Sequence, residues 1–293
     1  MDLVLTKDSL SKYFDLLTPT HKSEREKLLQ STIERQENKL KISSEFLIVL
    51  EQYFEAKGPN YIQFFQTFIT NANSENRLIT FKNSKSQNEN EVISTCFNHN
   101  YEDYSFIISY EENAYLENNH AANTSIINKI DKPNTHWIIA NLAAGNTLDI
   151  DHSHFPDENS IKTFVALLPK LSKKVRKVEF IDSYFNTGNN NLIYSTLKSS
   201  KSKVKCYTRL QNNEDKDFKR RRIKDFFGQR KTSVFFTRNT TLSHPRKISL
   251  GDLVIELTHD FTQVHPRNNN WGFYLKICED KRRDFENNIL SYN

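Results

Sequence analysis

The densest group of cations in the sequence is the block Lys219-Arg220-Arg221-Arg222-Ile223-Lys224. It is followed by Phe226 and Phe227 and then by Arg230 and Lys231. Clustered arginine and lysine side chains bind phosphate groups, so this block predicts contact with nucleic acid. The residues predicted to contact phosphate are Lys219, Arg220, Arg221, Arg222, Lys224, Arg230 and Lys231. The block is predicted to lie on a helix that begins at Asn212 or Asn213 and stops at Gly228, with Phe218, Ile223, Phe226 and Phe227 in its apolar stripe. The alternative interpretation is a solvated helix face without a ligand.

A second polar cluster occupies Asp149-Ile150-Asp151-His152-Ser153-His154. In an extended segment, alternation places the two aspartates on one face and the two histidines on the other. The histidines, together with Asp157, are candidate metal ligands. The favoured interpretation is a polar loop in which Asp157 or Asn159 caps a helix that begins near Ser160. No metal site is therefore predicted.

A third group of reactive side chains lies between Ser243 and Phe261, where His244, Arg246, Lys247 and Asp252 occur close together. This segment resembles the strand pair that carries the His-x-Lys motif of the phospholipase D-like superfamily. Upstream, the runs Lys177 to Phe185 and Lys203 to Thr208, with a helical segment between them, are similar to the opening β-α-β unit of that superfamily. The resemblance covers residues 175–278.

The resemblance implies a site for phosphodiester groups. In that superfamily a histidine attacks phosphorus, a second histidine protonates the leaving group, and lysines hold the phosphoryl oxygens. The motif His-x-Lys-x4-Asp fits in two partial registers. Alignment on His244 places Arg246 and Gly251 at the lysine and acidic positions, whereas alignment on Lys247 places Asp252 at the acidic position. The residues implied as catalytic are His244, Lys247 and Asp252, and Arg246 is implied to hold a phosphate.

One partial motif per chain favours a degenerate domain that binds phosphodiesters without hydrolysing them. The alternative is an active, metal-independent phosphodiesterase or nuclease that dimerises or recruits another histidine, for which His259 and His265 are candidates. Domains of this superfamily recur in microbial nucleases and in antiviral defence. The resemblance therefore implies DNA or RNA as the partner and no cofactor.

The hydrophobic pattern places all three groups in the α/β part of the chain. After residue 100, short apolar runs such as Tyr104 to Tyr110 and Trp137 to Leu142 read as strands, and helical segments follow between later strands. Residues 1–70 read as helical, and residues 71–100 as a loop-rich connection. The expected fold is α/β, with a helical N-terminal region followed by a mixed-sheet phospholipase D-like domain over residues 101–293.

The net charge of +5 conceals a strong asymmetry along the chain. Residues 172–250 contain 20 Lys and Arg against 6 Asp and Glu, a net charge of +14, whereas the remainder carries −9. Such a basic region attracts polyanions. One alternative is an assembly module, in which acidic and basic regions of the chain pair with a protein partner or with a second copy. Another alternative is a domain that binds anionic lipid headgroups.

Several classes are excluded by what the sequence lacks. Its 6 glycines are scattered singly, so neither a P-loop nor a GxGxxG dinucleotide fingerprint is present. The 3 cysteines are too far apart for a CxxC metal site and too few for a disulfide framework. No apolar run approaches the length of a membrane span, and the first residues do not resemble a signal peptide. We therefore expect a cytoplasmic protein without a membrane-spanning segment.

Overall fold

The computed structural model describes the chain except for residues 19–20, 83–87, 100–103, 132–133, 156, 172–175, 186–191, 200–201, 230, 239–245, 259–263, 265–270 and 293. The chain divides into two compact units, Met1–Asn146 and Thr147–Asn293. Each unit has its own β-sheet with helices packed against it, so the predicted α/β class is confirmed. The division falls after Asn146, not in the stretch 71–100.

Unit 1, residues 1–146, is built on a parallel sheet with the strand order β3-β2-β1-β4-β5. The strands are β1 (Asp2–Leu5), β2 (Lys39–Ser43), β3 (Leu78–Phe81), β4 (Ser105–Ser109) and β5 (Thr124–Ile126). The helices are α1 (Lys7–Asp15), α2 (Glu24–Glu34), α3 (Ser44–Lys57), α4 (Pro59–Ser74), α5 (Glu89–Asn98), α6 (Ala114–His120) and α7 (Thr135–Ala143). Helices connect the strands because parallel neighbours need crossover connections.

The central strands of unit 1 are buried along their whole length, as is typical of a parallel sheet covered on both faces. Lys41 on β2 is only 1% exposed, although it carries a charge. Its Nζ lies 2.8 Å from the Asp2 carboxylate and donates to the His99 carbonyl oxygen at 2.7 Å. These partners offset the cost of burying the cation.

The structure differs from the helical region expected for residues 1–70. Strands β1 and β2 lie within that region, and β3 lies in the stretch expected to be a loop. Each has only four or five residues and is adjacent to at least one longer helix, so a window long enough to reveal helical periodicity hides them. The strand expected over Tyr104 to Tyr110 is confirmed by β4. Trp137 to Leu142 lies instead in α7, which Asn134 caps by accepting the Trp137 backbone N–H at 2.9 Å.

Unit 2, residues 147–293, has a mixed sheet with the order β6-β12-β11-β10-β7-β8-β9. The strands are β6 (Leu148–Asp151), β7 (Lys177–Ile181), β8 (Lys203–Arg209), β9 (Thr232–Thr237), β10 (Lys247–Leu250), β11 (Leu253–Leu257) and β12 (Gly272–Ile277). The helices are α8 (Glu158–Leu171), α9 (Leu192–Ser199), α10 (Lys216–Phe227) and α11 (Glu279–Ile289). Strands β7, β8 and β9 are parallel to one another, and the other pairings are antiparallel.

The elements expected around the candidate site residues are all present. The β-α-β unit is formed by β7, α9 and β8, with Lys177 opposite Lys203. The expected strand pair is the antiparallel hairpin of β10 and β11, with Lys247 opposite Glu256. The mixed sheet predicted for this part of the chain is therefore confirmed.

Alternation along the strands gives the unit 2 sheet two different faces. On the first, Phe180 of β7 contacts Phe227 of α10 and Tyr194 of α9, with ring centroids 5.4 and 5.7 Å apart. On the second, Ile181 and Tyr207 pack with Phe285 of α11. We call these the α10 face and the α11 face. Side chains two residues apart on a strand share a face, so this assignment extends along β7 and β8.

A buried carboxylate anchors α11 to the sheet. Glu179 on β7 is 1% exposed and accepts hydrogen bonds from Arg282 Nη2 at 2.7 Å and from the Tyr207 hydroxyl at 3.0 Å. Lys177 Nζ lies 2.8 Å from the same carboxylate. Burial alone would raise the pKa of Glu179, but the bonds from Lys177 and Arg282 outweigh it and hold the pKa below its ordinary value of 4.5.

Replacing Glu179→Gln should destabilise the protein at pH 7 by about 2 kcal/mol, because hydrogen bonds to a buried charge are lost. A carboxylate with a lowered folded-state pKa contributes stability above its unfolded pKa, and that contribution disappears as the pH falls through the folded pKa. The stability difference between wild type and variant should therefore shrink as the pH falls below about 5 and through the lowered pKa of Glu179. Urea unfolding across this range measures it.

The matched control is Glu286→Gln, which alters an exposed carboxylate 3.0 Å from Nε of the same Arg282. We expect it to change stability by less than about 0.5 kcal/mol at every pH. Equal effects of the two substitutions would contradict the assignment of Glu179 as the anchor.

Candidate nucleic-acid interface

Helix α10 carries the basic block, and its ends are fixed locally. The Asp215 carboxylate accepts the backbone N–H groups of Asp217 and Phe218 at 2.8 and 2.9 Å and so caps the first turn. The bonds from Phe218 and then Asp217 hold the pKa of Asp215 below its usual value. The helix ends at Gly228, whose φ of +110° suits glycine. The expected end is confirmed, and the start lies at Asp215 instead of Asn212 or Asn213.

One side of α10 is held in the core. Ile223 and Phe227 are buried against the sheet, whereas Lys216, Arg221 and Arg222 are exposed. Partly exposed cations of the same helix extend this outward-facing set. We call the set the α10 surface, and it consists of Lys216, Arg220, Arg221, Arg222 and Lys224. It presents several guanidinium and ammonium groups to the solvent along one helix.

Within the α10 surface, Arg220 is the most constrained side chain. Its guanidinium lies 5.4 Å from the centroid of the Phe236 ring on β9 and donates to the Asp217 carboxylate at 2.9 Å. Asp217 is itself 80% exposed, so this ion pair is weak and screened by salt.

Lys219 does not belong to the α10 surface, although the sequence predicted it as a phosphate contact. It is only 6% exposed. Its Nζ donates to the Arg209 carbonyl oxygen at 2.8 Å and to Glu214 Oε2 at 2.9 Å. Lys219 thus joins the end of β8 to the first turn of α10, and its charge is already paired.

Lys231 lies near the C-terminal end of α10. Its Nζ donates to the Lys198 carbonyl oxygen at 3.2 Å, and Lys198 Nζ lies 5.0 Å from the ring centroid of Phe226. Both cations are therefore beside α10 and extend its positive potential. Arg230 lies outside the described residues.

The remaining described lysines of the basic region lie elsewhere. Lys203 and Lys205 alternate with Val204 and share the α11 face with Tyr207. Lys177 lies on the same face, next to Glu179. The stretch that looks like a single basic region in the sequence is thus divided by the sheet into two surfaces.

The residues implied as catalytic are not brought together in the described part of the chain. Lys247 begins β10, and its Nζ lies 2.5 Å from the Asp284 carboxylate and 3.6 Å from Glu256. Asp252 lies in the turn at the other end of β10, where its carbonyl oxygen accepts the Cys278 N–H at 3.0 Å. The strand separates them by roughly 10 Å or more. Asp252 therefore does not orient Lys247.

The other two residues of this group are Arg246 and His244. Arg246 immediately precedes β10 and is partly exposed, and its carbonyl oxygen accepts the Leu257 N–H at 2.9 Å. His244, like His259 and His265, lies outside the described residues. A catalytic role for His244 stays a prediction.

A groove that the sequence did not suggest lies beside α10, at the carboxyl ends of β7 and β8. Its walls include Tyr184, which follows β7, Gln211, which follows β8, and Phe218 and Arg222 of α10. Tyr184 is 37% and Phe218 55% exposed. The sequence predicts Phe218 in the apolar stripe of the helix together with Ile223, Phe226 and Phe227. Of these four, Ile223 and Phe227 are buried and Phe226 is half-buried, whereas Phe218 is exposed.

The cluster at Asp149 to His154 is structural where it is described. The Asp151 carboxylate accepts the Ser153 backbone N–H at 2.8 Å and lies 3.1 Å from His154 Nδ1. Asp157 caps α8 by accepting the N–H groups of Asn159 and Ser160 at 2.7 and 2.9 Å, which confirms the capping interpretation. Within the described ranges, no group of three or more His, Cys, Asp or Glu side chains is placed to hold a metal ion.

Two further properties concern the cysteines and the length of the helices. Cys96 and Cys206 are buried, and burial raises the pKa of both thiols. Across the residues that the structure describes, no helix is both long and apolar enough to cross a membrane.

No protein-family model matches the chain, and no curated protein matches its sequence. The crystal structure of polyphosphate kinase from Porphyromonas gingivalis aligns with 48% of this chain and 24% of the kinase chain, at 12% identity and a TM-score of 0.33. The archaeal chromatin protein TrmBL2, whose structure shows a novel mode of DNA binding, aligns with 48% of this chain and 49% of its own, at 10% identity and a TM-score of 0.28. The chain thus spans about a quarter and about half of these two chains. Similarity at this level supports no inference about fold or function.

The different positions of Lys219 and Arg221 predict different effects of substitution. Lys219→Met should lower the free energy of unfolding by about 1–3 kcal/mol, because the Glu214 carboxylate and the Arg209 carbonyl lose their donor. Arg221→Ala should change it by less than about 0.5 kcal/mol, because the side chain is exposed. Urea denaturation at pH 7 compares them. A neutral Lys219→Met would show that this ammonium does not anchor the helix.

Proposed function

We propose that the protein binds nucleic acid through the α10 surface. The observation that carries the proposal is the set of outward-facing cations on one well-anchored helix, together with Lys198 and Lys231 beside it. Arginine presents a rigid pair of N–H donors that matches phosphate oxygens. Lys216, Arg220 and Lys224 recur at intervals of four residues and therefore follow one side of the helix.

The charge of the unit supports the same proposal. Residues 147–293 contain 27 Lys and Arg and 17 Asp and Glu, a net charge of +10. A surplus of this size raises the local concentration of a polyanion and speeds its association. The exposed carboxylates near the α10 surface, such as Asp217, make only weak pairs that a phosphate can displace.

Binding without hydrolysis is the form of this function that we propose, in keeping with a degenerate phospholipase D-like domain. Lys247, the lysine of one motif register, is engaged by Asp284 and Glu256. A lysine held by two carboxylates is a poor ligand for a phosphoryl group, because a phosphate must first displace them. Arg246 stays a proposed phosphate contact at the start of the same strand.

A second candidate function is assembly with a partner protein or a second copy through opposite charge. The observation in its favour is that residues 1–146 carry 14 basic and 19 acidic residues, a net charge of −5, against +10 in residues 147–293. Complementary charges of this kind favour association between chains.

The test is fluorescence polarisation with labelled oligonucleotides over a series of salt concentrations. The triple variant Arg220→Ala, Arg221→Ala, Arg222→Ala should bind at least about tenfold more weakly than wild type. The slope of log affinity against log salt should become shallower by about 2 to 3 for duplex DNA, since each lost phosphate contact contributes about 0.9.

The charge-matched control replaces three exposed cations on other helices, Lys162→Ala, Lys170→Ala and Arg283→Ala. It should leave the slope unchanged to within about 0.5, because these residues lie on α8 and α11. Equal loss in the two triple variants would mean that affinity follows net charge alone and would refute the α10 surface. Absence of binding at low salt would favour the assembly function.

A further inference from the structure

The groove beside α10 lies where open α/β sheets commonly hold their ligands. Strands β7 and β8 are parallel, and the groove is at their carboxyl ends. At β7 the sheet changes from parallel pairing with β8 to antiparallel pairing with β10. Crevices outside the carboxyl ends of strands in open α/β sheets are common binding sites.

Two partly exposed aromatic rings line this groove. Phe218 is 55% and Tyr184 37% exposed, and they come from α10 and from the turn after β7. The Arg222 guanidinium lies 5.7 Å from the Phe218 ring centroid, one helical turn along. Guanidinium groups and aromatic rings both offer planar surfaces on which another ring can stack.

The backbone that carries these rings is fixed. The backbone N–H of Tyr184 donates to Asp182 Oδ1 at 2.9 Å, and Asp182 is 1% exposed and also accepts the Tyr194 hydroxyl. The N–H of Phe218 is held by the capping carboxylate of Asp215. The backbone at both rings is therefore anchored, which lowers the backbone entropy lost when a ligand stacks on either ring.

The remaining walls decide which ligand fits. Glu214 and Lys219 pair with each other, so Arg222 is the cation of the groove whose charge is not matched by a neighbour in the walls. The groove holds about 280 Å³, which is below the roughly 300–1,000 Å³ of pockets that enclose a drug-sized ligand. These dimensions and this charge fit one planar ring attached to a phosphate.

We propose that this groove binds an unstacked nucleobase and thereby gives the protein a preference for single-stranded over double-stranded nucleic acid. The inference rests on the proposed function, because the α10 surface must hold the phosphates on either side of the base. Bases in a duplex are stacked and paired and cannot enter the groove. A base in a single strand is free to turn out and stack on Phe218 and Tyr184.

The experiment compares a labelled 12-nucleotide single strand with a 12-base-pair duplex of the same sequence. Phe218→Ala and Tyr184→Ala should each weaken single-strand binding by about 5- to 100-fold, the range expected for one lost base stack. Duplex affinity should change less than about twofold, and the salt slope should be unchanged because no phosphate contact is removed. Phe218→Trp should restore single-strand binding.

The matched control is Tyr274→Ala, which removes a tyrosine that is 41% exposed on β12. It should leave both affinities unchanged. A second readout is a 2-aminopurine base placed in the single strand, whose fluorescence should be quenched by wild type and by Phe218→Trp but not by Phe218→Ala.

The outcomes separate the two proposals. If wild type binds both oligonucleotides and Phe218→Ala weakens neither, the groove is not a base site, while binding by the α10 surface stands. If Phe218→Ala weakens binding of the single strand and of the duplex equally, the Phe218 ring does not distinguish single-stranded from double-stranded nucleic acid. The inference is then wrong. If wild type binds neither oligonucleotide at low salt, the proposed function and this inference both fail.

Discussion

Lys219 fixes the rotation of α10 about its own axis. Its ammonium is held by the Arg209 carbonyl and the Glu214 carboxylate, and Ile223 and Phe227 follow it at intervals of four residues along the helix. These three side chains form the inward side of the helix. The same constraint turns Arg221 and Arg222 toward the solvent. The buried position of Lys219 therefore determines which other cations of α10 are accessible to a ligand.

The second constraint is the parallel pairing of β7 and β8. It places the turn after β7 beside the start of α10 and so brings Tyr184 and Phe218 into one groove, although 33 residues lie between them in the sequence. The same pairing divides the basic region, because Lys177, Lys203 and Lys205 alternate onto the α11 face. There Glu179 offsets part of their charge. A charge count along the chain therefore overstates the cations that act together at α10.

The sequence predicted the α/β rhythm of unit 2 because its strands and helices differ clearly in apolar spacing and end at recognisable residues such as Gly228. It failed for β1, β2 and β3, which are too short to interrupt the helical pattern around them. The separation of Lys247 from Asp252 was predictable in principle, because residues at the two ends of one strand lie roughly 10 Å or more apart. Lys219 was identifiable in principle, since its spacing from Ile223 and Phe227 places all three on one helix face. Tyr184 left no such signal, because only the strand register brings it to Phe218.

Photocrosslinking tests the central claim, that nucleic acid lies on α10 and in the groove beside it, most directly. A single-stranded oligonucleotide containing 5-iododeoxyuridine is bound to the full chain, irradiated, and the crosslinked peptides are identified by mass spectrometry. We predict crosslinks within Lys216–Phe227 and at Tyr184, lost in the presence of excess unlabelled strand. Crosslinks confined to the α11 face, around Lys203 and Lys205, would contradict this account, because they would place the ligand on the opposite side of the sheet.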